Sequence, residues 1–192
     1  MPFEREQEVA LHAAGKAAEA IARFFQGACQ VHEKSPGNPV TEADLEANRI
    51  LRRILCGEFA SYRWLSEESA RDAHAYGDDP TWIVDPLDGT ADFVAGLPEF
   101  AVSIALVSEG RARAAAVVNP ATGEAWSARE GGGATRNGAP IRLREATDLS
   151  NEKVLVSRSE HRRGALAAWS PRLRLSPVGS IAYKLCLVAS GE

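Results

Sequence analysis

The sequence is poor in sulfur and has no long apolar run. Its 192 residues include three cysteines and one methionine. Cys29, Cys56 and Cys186 are odd in number, form no CxxC pair and show no cysteine–histidine zinc spacing. That pattern excludes a disulfide scaffold and leaves reduced core thiols of a cytoplasmic protein as the expectation. No apolar stretch is long enough to span a bilayer, so no membrane partner is expected. The opening Met1-Pro2-Phe3-Glu4-Arg5-Glu6 lacks the basic-then-apolar layout of a signal peptide. Dense Lys/Arg runs with interleaved aromatics are also missing, so no nucleic acid polymer is expected as a partner. The four histidines, His12, His32, His74 and His161, are scattered singly and form no triad. There are no internal repeats and no low-complexity tracts.

What is present is an ordinary globular composition, 45% hydrophobic and 25% charged. The net charge of −4 hides an asymmetry. Residues 1–128 carry 11 Lys/Arg against 20 Asp/Glu, and residues 129–192 carry 11 against 6. One reading is solvated surface; the other is an acidic, cation-holding part facing a basic part that attracts an anionic substrate.

Helical spacing runs from about Glu4 to Val31, with Val9, Ala13, Ala17, Ala20, Ile21, Phe24, Phe25 and Ala28 on one stripe. Lys34-Ser35-Pro36-Gly37-Asn38-Pro39 ends it. Thr41-Glu42-Ala43-Asp44 reads as a capping box opening a second helix, whose apolar face is Leu45, Ile50, Leu51, Ile54 and Leu55. Strands are predicted at Arg63–Ser66 and Thr81–Val84, with a loop between them. A hairpin is expected around Glu109-Gly110, joining Ala101–Ser108 to Ala112–Asn119. Further strands are expected at Glu124–Ala128 and Gly133–Arg136, then at Ile141–Leu143 after an Asn137-Gly138 turn. Gly131-Gly132-Gly133 reads as a hairpin bend. Helices followed by consecutive antiparallel strands indicate α+β layering over residues 1–150. Beyond Ser150 the order becomes strand Lys153–Ser157, helix Arg162–Trp169, strand Leu173–Val178 and helix Ile181–Ser190. That α/β order marks 151–192 as the start of a second unit.

The chemistry concentrates in Trp82-Ile83-Val84-Asp85-Pro86-Leu87-Asp88-Gly89-Thr90-Ala91-Asp92-Phe93. A buried strand opens into two carboxylates, which is costly unless a cation compensates. Hard divalent cations take oxygen ligands, and Glu67 at a neighbouring strand end, Asp85, Asp88 and the Leu87 carbonyl supply them. Pro86 stiffens the bend, and Gly89 permits close backbone approach. Thr90 offers a hydroxyl that can orient water, and the N–H groups beyond Asp88 can receive a phosphate. A plain surface turn would use the same Asp, Pro and Gly residues, but the flanking Trp-Ile-Val and Thr-x-Asp-Phe argue against it.

This segment resembles the signature of the inositol monophosphatase superfamily, which also includes bisphosphate nucleotidases. The resemblance extends to Pro39-Val40-Thr41-Glu42-Ala43-Asp44, Trp64-Leu65-Ser66-Glu67-Glu68, Phe100–Ala105, Gly133–Gly138 and Gly179-Ser180…Leu187-Val188-Ala189. It implies an α+β fold layered as an α-β-α-β-α sandwich, with its second α/β layer truncated. It also implies Mg²⁺ as cofactor, held by Glu67, Asp85, Asp88 and the Leu87 carbonyl. Glu67 and Thr90 would activate water, and Asp44 would support Thr90. Asp88, Gly89, Thr90, Gly179, Ser180 and Lys34 would meet the phosphate or the rest of the substrate.

The expected function is Mg²⁺-dependent hydrolysis of a small phosphate monoester such as an inositol phosphate, by a cytoplasmic homodimer. The alternatives are a 3′(2′),5′-bisphosphate nucleotidase acting on an adenosine bisphosphate, towards which Trp64-Leu65-Ser66-Glu67-Glu68 and Val156-Ser157-Arg158-Ser159 lean, and a non-catalytic chain that keeps the fold. The family's later Trp-Asp-x-Ala-Ala-Gly element, whose Asp completes a second metal site, does not occur among the 192 residues. The chain by itself is therefore expected to be poorly active, and oligomeric or marginally stable, with Ile181, Leu185 and Val188 lacking full cover.

Overall fold

A computed structural model describes residues 2–25, 27, 31–35, 38–68, 77–143, 153–168 and 173–192, leaving aside the side chains of 32–39. A seven-stranded sheet of order β3-β4-β5-β6-β7-β8-β9 forms its centre. The strands are β3 (Arg63–Ser66), β4 (Thr81–Asp88), β5 (Ala101–Ser108), β6 (Arg111–Val118), β7 (Ala125–Arg129), β8 (Gly133–Arg136) and β9 (Ala139–Pro140). Every neighbouring pair from β4 onward is antiparallel, but β3 runs parallel to β4. This corrects the expectation of consecutive antiparallel strands, because nothing in Arg63–Ser66 itself encodes its direction. Glu109-Gly110 and Asn137-Gly138 both take positive φ, as their hairpin turns require. The expected strand at Ile141–Leu143 is displaced: the ladder ends at Pro140, and Leu143 is exposed.

Helices α1 (Glu4–Phe25) and α2 (Glu42–Glu58) cover one face of the sheet. The buried stripe of α1 is mostly alanine, Ala10, Ala13, Ala14, Ala17, Ala18 and Ala20, with Val9 and Ile21. Small side chains let its backbone lie close to α2 and the sheet. The helix stops at Phe25, and Val31 begins β1 (Val31–Ser35), which pairs with β2 (Asn38–Thr41). In α2 the inward ridge is Ala43, Ala47, Leu51 and Leu55 at i+4 steps, with Asp44 beside it. Leu45 lies about 200° around the helix from Ala43 and is exposed, which corrects its assignment to the apolar face. Trp82, wholly buried, packs against Phe59 and Tyr62 at this interface.

Ser157 and Glu160 form a capping box that starts the short α4 (Arg158–Arg162), earlier than the Arg162–Trp169 expected. On either side of it, β10 (Lys153–Val156) and β11 (Arg174–Pro177) pair in parallel, as an α/β connection requires. The last helix, α5 (Ile181–Ala189), rests Tyr183 and Leu187 on Ala101, Trp126 and Val178. Ile181 and Leu185 face outward at 67% and 66% exposure. Cys56 and Cys186 are half-buried free thiols. Cys29, Ala28, His74, Trp169 and the proposed boundary at 150/151 lie outside the described residues. Among the described residues no helix is long and apolar enough to cross a membrane.

Candidate active site

The site begins with an irregularity in β4. Asp85 pairs with Ser103 and Asp88 with Ala101, so three steps on β4 match two on β5. Pro86 cannot donate to the ladder and sits in this bulge. In a regular strand, residues three apart point to opposite faces. The extra residue restores the phase. Trp82, Val84, Pro86 and Leu87 are buried towards the core, while Ile83, Asp85 and Asp88 are less buried on the other side. One bulge thus brings both aspartates to the same side of the sheet.

Glu67 follows the end of the adjacent β3 in an exposed turn. It acts on Asp85 through space: burial, then Glu67, then Asp88 push the Asp85 carboxyl up to about 7. Internal donors hold these carboxylates. Asp85 Oδ1 accepts from Leu87 N at 3.0 Å. Asp88 Oδ2 accepts from Ser180 Oγ and Ala182 N, each at 2.6 Å. Among the described residues no three carboxylates stand close enough to form a finished ligand cage. The donor chemistry nevertheless fits a hard cation: three carboxylates and a carbonyl, all oxygen donors, with Glu67 and Asp88 near enough to Asp85 to raise its carboxyl.

Beyond Asp88, Gly89 takes φ 97°, and a Cβ there would meet the Glu99 carbonyl oxygen at 3.0 Å. The next segment is the short α3 (Thr90–Val94), whose first hydrogen bond runs from Asp92 N to Gly89 O. The N–H groups of Thr90 and Ala91 precede that bond and have no partner within the helix. Thr90 Oγ1 lies 3.1 Å from Asp44 Oδ1 and 2.9 Å from the Leu87 carbonyl. A hydroxyl has one proton, so it donates to one of these at a time and keeps lone pairs for another donor. Asp44 is buried, and its Oδ2 accepts from Thr41 N and Thr41 Oγ1 at 2.8 and 2.6 Å. Burial raises its carboxyl, and the hydrogen bonds from Thr41 and Thr90 only partly oppose that. The capping box of α2 is therefore also the support of Thr90.

Gly179 and Ser180 close the site from the other side. A Cβ on Gly179 would stand 2.3 Å from Asp92 Oδ2 and 2.6 Å from the Glu99 carbonyl, so a side chain has no room. Ser180 takes φ 50°, an unusual conformation for a residue with a side chain. It is held by its bond to Asp88 and by accepting from Tyr183 N at 3.0 Å. Asp88, Gly179 and Ser180 line a cavity of about 510 Å³. Lys34 lies on β1, and its side chain is outside the described residues.

Two features escaped the sequence reading. Arg158 of α4 bridges Asp92, with its Nε 3.0 Å from Oδ1, and Glu99. Tyr183 of α5 donates to Glu124 at 2.7 Å, and Glu124 also pairs with Arg136. Both join residues far apart in the chain. The Ser-x-x-Glu spacing at Ser157–Glu160 was the available signal that α4 begins beside the cavity.

The sequence model of the "Inositol monophosphatase family" matches residues 4–192. An inositol-1-monophosphatase of Rhizobium meliloti is 35% identical over 194 residues, covering 96% of this chain and 73% of that protein. A histidinol-phosphatase of Chlorobaculum parvum is 34% identical over 155 residues, covering 80% and 59% respectively. Among solved structures, the Thermotoga maritima IMPase superposes with a TM-score of 0.86 at 30% identity, covering 97% of this chain and 73% of that one. The layered α+β fold, the ordered motifs and these similarities agree: the chain belongs to the inositol monophosphatase family.

Proposed function

We propose that this chain hydrolyses a small phosphate monoester by direct attack of water, with Mg²⁺ as cofactor. The observation that carries the reading is the β4 bulge, which sets Asp85 and Asp88 on one side of the sheet, where burial and Glu67 raise the Asp85 carboxyl. Mg²⁺ held by Glu67, Asp85, Asp88 and the Leu87 carbonyl would supply the positive charge that offsets the phosphoryl oxygens. Asp44 fixes the Thr90 hydroxyl, whose lone pairs orient the attacking water. Glu67, at the open end of β3, takes the proton from that water. The amides of Gly89, Thr90 and Ala91 receive phosphate oxygens, and Gly179 and Ser180 meet the rest of the substrate. Lys34 belongs to this set by its place before the Pro-Val-Thr segment. A cytoplasmic homodimer fits the same reading, and the outward Ile181 and Leu185 of α5 support association.

The substrate favoured is an inositol monophosphate or similar polyol phosphate, in keeping with the names of several relatives. Phosphate release from myo-inositol 1-phosphate with Mg²⁺ tests the proposal. Thr90→Val is expected to lower kcat by about 10²-fold or more, while Thr90→Ser, which keeps the hydroxyl, retains most of the rate. If wild type and Asp85→Asn bind Mg²⁺ equally weakly and neither releases phosphate, the chain is a non-catalytic member of the fold.

A further inference from the structure

The spacing between the two sides of the site depends on a stretch with no regular structure of its own. Residues 97–100, between α3 and β5, belong to neither helix nor strand. Yet the Glu99 carbonyl oxygen lies where a Cβ on Gly89 would meet it at 3.0 Å and a Cβ on Gly179 at 2.6 Å. One backbone atom is thus wedged between the turn after Asp88 and the segment that carries Ser180. Its place sets how closely the two sides approach.

Few contacts hold that place. Phe100 packs against Phe25 and Phe93. Leu97 N donates to Asp92 O at 2.9 Å, and the buried Asn119 donates from Nδ2 to the Pro98 carbonyl at 2.9 Å. At Glu99 itself the carboxylate pairs with Arg158, which reaches in from α4. The Nε edge of the same guanidinium stands 3.0 Å from Asp92 Oδ1, in the first turn of α3. The other oxygen, Asp92 Oδ2, is the atom nearest to a Cβ on Gly179. Arg158 therefore grips α3 with one edge and residues 97–100 with the other.

The three side chains are half-buried, where salt screens charge pairs less than at the surface. Burial raises the Asp92 carboxyl above its usual value; Arg158 opposes that, Glu99 adds to it, and Arg162 opposes it more weakly. Without Arg158, the two carboxylates would repel each other beside the atoms that separate Gly89 from Gly179. A planar guanidinium can serve two carboxylates from two edges at once, whereas a lysine ammonium can sit on one and release the other.

We propose that Arg158 is a positioning residue: by joining Asp92 to Glu99 it holds the phosphate-receiving start of α3 and the Gly179-Ser180 wall at their working separation. The reaction it serves rests on the phosphatase reading, and the clamp rests on Arg158, Asp92 and Glu99 alone. Arg158 acts through these carboxylates and not on the substrate.

Steady-state kinetics with Mg²⁺ and myo-inositol 1-phosphate, at a temperature where every form is folded, tests the role. Arg158→Gln is expected to lower kcat about tenfold or more and to move KM less than about threefold, because the reacting groups are misplaced while the substrate still binds. Arg158→Lys should recover part of the loss. In an Asp92→Ala/Glu99→Ala background, Arg158→Gln should cost almost nothing further, since the partners it acts through are gone. An equal loss in both backgrounds, a loss confined to KM, or full activity of Arg158→Gln overturns the proposal. Amide exchange at neutral pH gives a readout that needs no turnover. Asp92 N and Phe93 N donate to Gly89 O, and Ala182 N donates to Asp88 Oδ2. These three amides should exchange about tenfold faster in Arg158→Gln, while Ile104 and Ala116, paired between β5 and β6, stay unchanged. Acceleration at all five, or at none, overturns the clamp. If wild type releases no phosphate, the phosphatase reading fails, and faster exchange confined to the three amides upholds the clamp.

Discussion

Gly179 is the point where the two sides of the site touch most closely. The atoms a methyl would meet are the Asp92 carboxylate, itself tied to Arg158, and the Glu99 carbonyl, which is backbone. Neither can step aside cheaply. Gly179→Ala must push the start of α5 away and lift Ser180 from Asp88. The expected cost is about 1–3 kcal/mol in urea unfolding, accompanied by a loss of kcat/KM at temperatures where the variant is still folded. Gly15→Ala is the matched control: it lies within α1, and its Cβ would meet nothing within 4 Å. It should stabilise by about 0.5–1 kcal/mol, because alanine loses less backbone freedom in a helix. Equal effects of the two substitutions would refute the packing argument.

At the scale of elements, α5 is fastened to the sheet by polar contacts as well as by its apolar face. Glu124 accepts from Tyr183 on α5 at 2.7 Å and from Thr122 at 2.8 Å, and pairs with Arg136 on β8, which also meets Glu192. Trp126 Nε1 donates to Ser190 at 2.9 Å. Burial pushes the Glu124 carboxyl up, but hydrogen bonds from Arg136, Tyr183 and Thr122 together outweigh it and hold the group below the usual range. A carboxyl depressed by folding contributes stability that is present above its unfolded value of about 4.3 and is lost as pH falls through the folded value. Amide exchange along α5 is therefore expected to accelerate as pH drops below about 4 by more than the intrinsic rate predicts. In Glu124→Gln that acid step should vanish and α5 should exchange faster at neutral pH. An acid step of the same size in the variant would assign it to another group.

For the whole molecule, what could be read from sequence and what could not divide along chain separation. The Thr41–Asp44 capping box and the Glu109-Gly110 and Asn137-Gly138 turns are each written within a few consecutive residues and each is found in the structure, and the bend at Asp85–Thr90 appears as the β4 bulge and the start of α3. The Ser180–Asp88, Tyr183–Glu124 and Arg158–Glu99 contacts span 92, 59 and 59 positions, and no local spacing encodes them. The direction of β3 was hidden for the same reason. The local ligand turn has a global consequence. With no cation bound, folding gathers Asp85, Asp88 and Glu67 and raises the Asp85 carboxyl to about 7, against about 3.9 unfolded. A carboxyl raised by folding costs stability as pH climbs through that window, so at pH 8 the metal-free fold bears the full repulsion. Asp85→Asn removes that charge and should raise the metal-free melting temperature at pH 8. Millimolar Mg²⁺ should then stabilise wild type by mass action and leave Asp85→Asn unmoved. Thermal unfolding of both forms with and without Mg²⁺ checks the two signs together: a variant that melts below wild type without metal, or that gains as much from Mg²⁺, would mean that Asp85 is not held in the fold against its own charge.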